Sequence, residues 1–222
     1  MTSVIVEHRG VKIDIAPSEI SEPIKEAIRG GWYELPESEA LDRLVLDDDI
    51  VLELGAGCGF ISTYVANQGR AKEIFAVEAN PTLIPIIKRT HELNGAQVRV
   101  FNEMLGAGEG ETQFHMHPDF WASRSNNKWD GAQTITVPQR GFRARLEAWQ
   151  PSLLIMDIEG GELPLLRMGL PPCVNRVVLE VHGWAYGGPG LHEIMRLLCD
   201  YSFHYMPMAS KGSVVCFKRL DS

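Results

Sequence analysis

The chain has 222 residues, 45% of them hydrophobic and 23% charged, which excludes a disordered or fibrous chain and suits one α/β domain with additions. Its formal net charge is −8, and this argues against a dedicated nucleic-acid binder, because neutralising phosphates takes surplus Lys and Arg. Arg140, Arg143 and Arg145 lie close in sequence and read as a solvated face. Cys58, Cys173, Cys199 and Cys216 form no C-x-x-C pair, which speaks against a disulfide framework or a structural zinc site. The opening run carries charges unlike a signal peptide, and no apolar run approaches the ~20 residues of a membrane helix. A cytoplasmic protein without a membrane partner is the expectation.

In chain order, residues 4–15 alternate around Arg9-Gly10 and predict a β-hairpin. Residues 18–29 and 37–46 carry helical spacing, with Ser18 as the N-cap of the first. Residues 50–54 form an apolar run typical of a buried parallel strand. A glycine turn, a helix over 59–68, a strand over 74–77, a helix from Pro81 to about Asn94 and a strand over 98–101 follow. Residues 105–131 lack periodicity and predict an insertion, with Phe120, Trp121 and Trp129 as a lid over an acceptor or as a small satellite core. Beyond it come a strand over 134–137, a helix over 141–149, a strand over 153–156, a helix over 161–168, a strand over 177–181 and a helix over 189–200. Gly187-Gly188-Pro189-Gly190 reads as a turn. Strands over about 202–207 and 213–218 close the chain as an antiparallel pair. The order predicts a single domain over 1–222. Its fold class is α/β, a Rossmann-like, mostly parallel doubly wound sheet with an N-terminal hairpin and helical extension over 1–46.

Two motifs carry chemistry. In Glu53-Leu54-Gly55-Ala56-Gly57-Cys58-Gly59-Phe60, a strand enters a turn with glycines at alternate positions, which lets the backbone lie against a ligand. The following strand ends in Glu78-Ala79-Asn80, and a carboxylate there can accept hydrogen bonds from both hydroxyls of a ribose. The second motif is Asp157-Ile158-Glu159-Gly160-Gly161-Glu162, followed one strand later by Glu180-Val181-His182. Acids at buried strand ends are costly unless paired, protonated or bound to a cation.

The first motif resembles that of class I methyltransferases that use S-adenosylmethionine. The resemblance implies cofactor contacts from Glu53, Gly55, Ala56, Gly57, Phe60, Glu78, Ala79, Asn80, Glu103, Met104 and Asp157. Glu53, Gly55 and Gly57 would surround the methionine part, and the Asn102-Glu103-Met104 turn would border the adenine. Tyr33 and Glu34 would cover the cofactor from the other side. The Asp157–Glu162 run with Glu180-Val181-His182, and the region from Val98 to the Gly108-Glu109-Gly110 turn, are similar to the FkbM family. Where that family often has a lysine before the first acid, Met156 stands here.

That resemblance implies O-methylation of a hydroxyl on a sugar, glycolipid or secondary metabolite, with a small-molecule acceptor and no nucleic acid. Asp157 or His182 would act as general base. Alternatively, Asp157, Glu180 and His182 would hold a divalent cation such as Mg²⁺. An assembly of identical copies is compatible with all of this. The rivals are an NAD-dependent oxidoreductase, disfavoured by the G-x-G-x-G spacing and the lack of a Tyr-x-x-x-Lys pair, and a non-catalytic S-adenosylmethionine-binding protein. Nucleobase amino methylation is disfavoured by the lack of an Asn-Pro-Pro-Tyr-like motif.

Overall fold

Apolar residues recur along the central strands on both faces of the pleat, so each strand feeds two cores at once. In β3 (Ile50–Leu54), Val51 faces one core while Leu52 and Leu54 face the other; in β9 (Leu153–Met156), Leu153 and Ile155 oppose Leu154 and Met156 in the same way. Burying one such side chain contributes about 1.5–3 kcal/mol. The computed structural model describes residues 2–116 and 133–220.

Around these strands lies a seven-stranded sheet in the order β11-β12-β10-β9-β3-β4-β5. Its parallel part comprises β5 (Arg99–Asn102), β4 (Glu73–Glu78), β3, β9 and β10 (Arg176–Glu180). β12 (Val214–Arg219) runs antiparallel to β10, and β11 (Phe203–Tyr205) antiparallel to β12, as the sequence predicted. The first core is covered by α1 (Glu22–Gly30), α2 (Leu35–Leu44), α3 (Phe60–Asn67) and α4 (Ile84–Asn94). The second is covered by α5 (Phe142–Trp149), α6 (Glu162–Leu166) and α7 (Gly183–Asp200). A hairpin of β1 (Ile5–His8) and β2 (Val11–Asp14) packs beside α3 and α4. The Rossmann-like α/β class is therefore observed.

Four readings differ from the sequence expectation. The first helix begins at Glu22 behind Ser21, and Ser18 lies outside it, because Pro23 favours the first turn. The second begins at Leu35 and ends at Leu44, with the chain entering through Glu34 in a left-handed conformation. Residues 105–116 are not irregular: β6 (Met104–Gly106) and β7 (Gly110–Met116) both pair with β8 (Gln133–Gly141), making a three-stranded sheet. The lid expected from Phe120, Trp121 and Trp129 lies outside the described residues. Finally, a short helical piece from Gly183 precedes the predicted break, so α7 is two pieces joined at a kink where Gly187 takes φ 61°.

The C-terminal ends of β3 and β9 are adjacent, while their following helices lie on opposite faces, and such a switch point is where open α/β sheets bind ligands. Gly55 donates its N–H to Val77 O at 3.0 Å, and Asp157 donates its N–H to Leu54 O at 3.0 Å. No helix among the described residues is long and apolar enough to cross a membrane.

Candidate functional site

Gly55 is where the two halves of the sheet meet most closely. It has φ +87°, and a Cβ built there would lie 1.8 Å from the carbonyl oxygen of Asp157. Only glycine fits both the left-handed backbone and the approach. Gly55→Ala is expected to cost about 1–3 kcal/mol in backbone strain and a similar amount in overpacking. A clearly lowered thermal midpoint, with ligand binding at the turn abolished, would bear this out; an unchanged midpoint would refute it.

Beside this contact, Glu78 at the end of β4 is 6% exposed. Its Oε1 accepts the Asn80 N–H at 2.7 Å and its Oε2 accepts the Gly57 N–H at 3.0 Å. Asn102 steadies the same strand end by donating to the carbonyl oxygens of Glu78 and Ala79. Burial pushes the Glu78 carboxyl up to about 7, against the pull of the N–H groups of Asn80, Gly57, Ala79 and Ala56.

A cavity of about 210 Å³ runs across these strand ends. Of the residues the sequence offered for a cofactor, Gly55, Gly57, Glu78, Ala79, Glu103, Met104 and Asp157 line it, and so do Tyr33 and Glu34. Ala56, Phe60 and Asn80 do not. Phe60 is fully buried, stacked on His8 and packed against Tyr33 and Tyr64. The Asn80 side chain turns back to accept from Thr82, and its backbone N–H fixes Glu78. Glu103 reaches the cavity with its carboxylate already engaged, since Arg145 grips it bidentately at 2.7 and 2.6 Å while stacking on Trp149. Sequence reasoning missed an apolar wall of Leu105, Phe114, Pro164, Leu165 and Met168. Alternation in Gly110–Met116 was the signal for Phe114, masked by the glycines before it.

The second motif closes the other end. His182 is buried, and its Nε2 lies 3.5 Å from Asp157 Oδ1, 3.3 Å from Glu159 Oε2 and 3.7 Å from Glu180 Oε2. Its Nδ1 lies 3.2 Å from Glu162 Oε1, close enough to pair but too poorly aligned to count as a hydrogen bond. That same Glu162 oxygen accepts the Ile158 N–H at 3.0 Å, which fixes the loop. Tyr186 caps the His182 backbone N–H. Burial opposes charge on His182, but Glu162, Glu159 and Glu180 outweigh it and raise its pKa. Asp157 is held well above the usual carboxylate range by burial first, then by the charges of Glu180, Glu159, Glu34 and Glu37. Glu34 and Glu159 both adopt left-handed backbone, at φ 44° and 52°. Such conformations persist where the surroundings over-determine them, and they concentrate at functional sites.

Glu53 does not reach the main cavity. It lines a smaller one behind it with Glu34, Glu37, Asp157 and Glu180. Burial pushes Glu53 up to about 8 and Glu37 up to about 7.

Residues 33–109, about a third of the chain, match the model of the TRM5/TYW2 methyltransferase domain. No curated protein matches the chain. Among solved structures, Trm5b of Pyrococcus abyssi superposes with a TM-score of 0.54 at 14% identity, covering 98% of this chain and 56% of that one. Sp1610 of Streptococcus pneumoniae, solved with S-adenosyl-L-methionine and provisionally described as a tRNA (m1A22) methyltransferase, gives 0.50 at 14%, covering 84% and 74%. SMU.1697c of Streptococcus mutans, solved with S-adenosylhomocysteine, gives 0.50 at 10%, covering 83% and 96%. These likenesses establish the fold.

Two expectations are corrected here. The matching model is the TRM5/TYW2 domain and not FkbM, so the FkbM resemblance is overturned. It rested on acids at strand ends, which unrelated methyltransferases can place alike because the sheet edge dictates where acids are useful. The exclusion of a nucleic-acid partner falls as well, since it rested on net charge and the model matched over residues 33–109 is that of the TRM5/TYW2 methyltransferase domain. Net charge was a weak guide, because it averages over a surface on which a local contact decides binding. The glycine turn, the cavity at the switch point and the matched domain identify the chain as an S-adenosylmethionine-dependent methyltransferase on a Rossmann-like fold.

Proposed function

We propose that the chain methylates a nucleoside of tRNA at an atom that carries a proton. Support for tRNA comes from the TRM5/TYW2 match over residues 33–109 and from the Sp1610 description. The chemistry rests on one observation, the Asp157–Glu159–Glu180–His182 cluster bordering the cofactor cavity. The sulfonium of the cofactor makes the methyl group electrophilic without protein help. The chain must therefore orient the acceptor in line with that methyl, which can supply up to roughly 7–11 kcal/mol, and remove a proton.

A lactam ring N–H and a ribose hydroxyl both lose a proton on methylation. A raised carboxyl pKa, as at Asp157, brings a base closer to neutral pH, where general-base catalysis is most effective. Glu162 stands behind His182, 3.2 Å from its Nδ1, and His182 Nε2 is placed to share the proton that Asp157 would take up. A second reading, methylation of a hydroxyl on a small molecule, draws on the carboxylates at this end, which would repel phosphates. Incubation with tritiated S-adenosylmethionine separates the two. Label retained on a tRNA pool and released as a methylated nucleoside supports the first; label only on hydroxylated small molecules would replace it.

In this reading Glu78 accepts hydrogen bonds from the cofactor's ribose. Hydrogen bonds to a charged group contribute about 1.5–3 kcal/mol, so Glu78→Ala is expected to weaken S-adenosylhomocysteine binding by about 10–150-fold. The ionised carboxylate accepts both hydroxyls, whereas the protonated form must spend one oxygen on its own proton. Affinity should accordingly be full above the raised pKa and fall away as pH drops through about 7. Calorimetric titration across that range checks the sign. Glu78→Gln should flatten the profile, and an equally steep profile in that variant would remove Glu78 from the role.

A further inference from the structure

Glu34, Glu37, Glu53, Asp157 and Glu180 line a single cavity of about 10 Å³, room for one water-sized occupant, since roughly 10–15 Å³ is the minimum for a water. Glu37 and Glu53 are 7% and 2% exposed, and each keeps one buried carboxylate oxygen without a hydrogen-bond partner. Asp157 Oδ1 is a third such oxygen. Among the described residues, no lysine or arginine forms an ion pair with any of these five acids, and the basic side chain beside them is His182. Its Nε2 stands 3.5 Å from Asp157 and 3.7 Å from Glu180.

Two accounts can meet the cost of gathering so many acids around one cavity, two of them buried and three half-buried. Protonation would neutralise them and supply an O–H donor, but each proton reaches only one neighbouring oxygen at a time. A small multivalent cation does both, since it offsets charge and satisfies oxygen lone pairs together. The donor geometry suits the cation. One atom each from Asp157, Glu180 and His182 lie within 4.8 Å of one another, while adjacent donors about 2.0–2.2 Å from a shared ion stand roughly 3 Å apart. A modest inward movement of side chains closes that gap.

We infer that Asp157, Glu180 and His182 bind one divalent cation, with Glu37 and Glu53 as a buried acidic shell behind it. Carboxylates with a single imidazole favour an ion of the Mg²⁺ or Mn²⁺ kind over the softer metals. The cation's use, holding an acceptor oxygen and easing loss of its proton, rests on the methyl-transfer reading and would replace the base role of Asp157 when the ion is bound; its binding does not rest on that reading.

Mn²⁺ alone is titrated into the chelator-stripped full chain, with free Mn²⁺ followed by paramagnetic resonance. S-adenosylhomocysteine is titrated into a separate sample. One saturable Mn²⁺ site is expected, at least about tenfold weaker in Asp157→Asn and in Glu180→Gln, with both variants showing the wild-type circular dichroism spectrum. The inference is overturned if wild type binds no Mn²⁺, or if binding survives both substitutions. Should a variant lose its fold, the wild-type titration repeated against excess Mg²⁺ decides: displacement supports the site, and a lack of saturable binding removes it. Mn²⁺ binding without S-adenosylhomocysteine binding would sink the methyl-transfer reading and leave the cation site standing; the reverse result would do the opposite.

Discussion

Asp157→Asn is expected to lower methyl transfer by about 10²–10⁴-fold, the usual contribution of a positioned general base, while S-adenosylhomocysteine binding stays near wild type. Asparagine keeps the shape of the side chain and the backbone N–H bond to Leu54 O that seats the residue. It removes the group that can take up a proton and leaves His182 Nε2 facing Glu159 and Glu180 at 3.3 and 3.7 Å. Single-turnover measurements with saturating cofactor isolate this effect, because they read the chemical step apart from product release. Turnover within a few-fold of wild type would move the base elsewhere, His182 being the next candidate.

The second large effect concerns stability, at the opposite edge of the sheet. Arg176 opens β10, is 6% exposed, and donates to both oxygens of Asp49 at 2.9 and 2.6 Å, as well as to Leu44 O at 2.7 Å. Asp49 accepts in addition from the Leu46 N–H at 2.7 Å and from the Ser152 hydroxyl at 2.6 Å. This one ion pair ties the end of α2, the start of β3 and the segments before β9 and β10. Arg176→Met leaves the Asp49 carboxylate buried without its cation, which typically costs 3–5 kcal/mol, so about that loss is expected. For a chain of this size, the melting temperature should fall by about 6–20 °C. Replacing both partners, Asp49→Leu with Arg176→Met, should recover much of the loss, since the penalty lies in the unpaired charge and not in the missing contact. A double variant no better than the single one would show that packing, and not charge, governs this corner.

Local patterns were readable where the chemistry itself is local. The glycines at 55, 57 and 59 declare a tight turn because no other residue tolerates φ of 87°, 53° and 80° there without strain. Glu78 and Asp157 were legible for a similar reason, since a charge ending an apolar strand must face the sheet edge. Phe60 shows the limit of such reading: its place one residue past the turn suggested cofactor contact, yet its ring packs on His8 and Tyr33. The helical piece from Gly183 was hidden because Gly-Trp-Ala-Tyr-Gly-Gly-Pro-Gly has poor helical propensity, and the backbone does break at Gly187.

Sequence alone determined the α/β class, the strands carrying acids and the glycine turn at the end of β3, because each depends on residues within a few positions of one another. Only the tertiary structure decided that β9 lies against β3, which sets Asp157 on Gly55 and carries Glu34 and Glu37 across to Glu53 and Glu180. That convergence joins segments separated by more than a hundred residues, and a crossover of that length leaves no periodicity in the chain to announce where it lands.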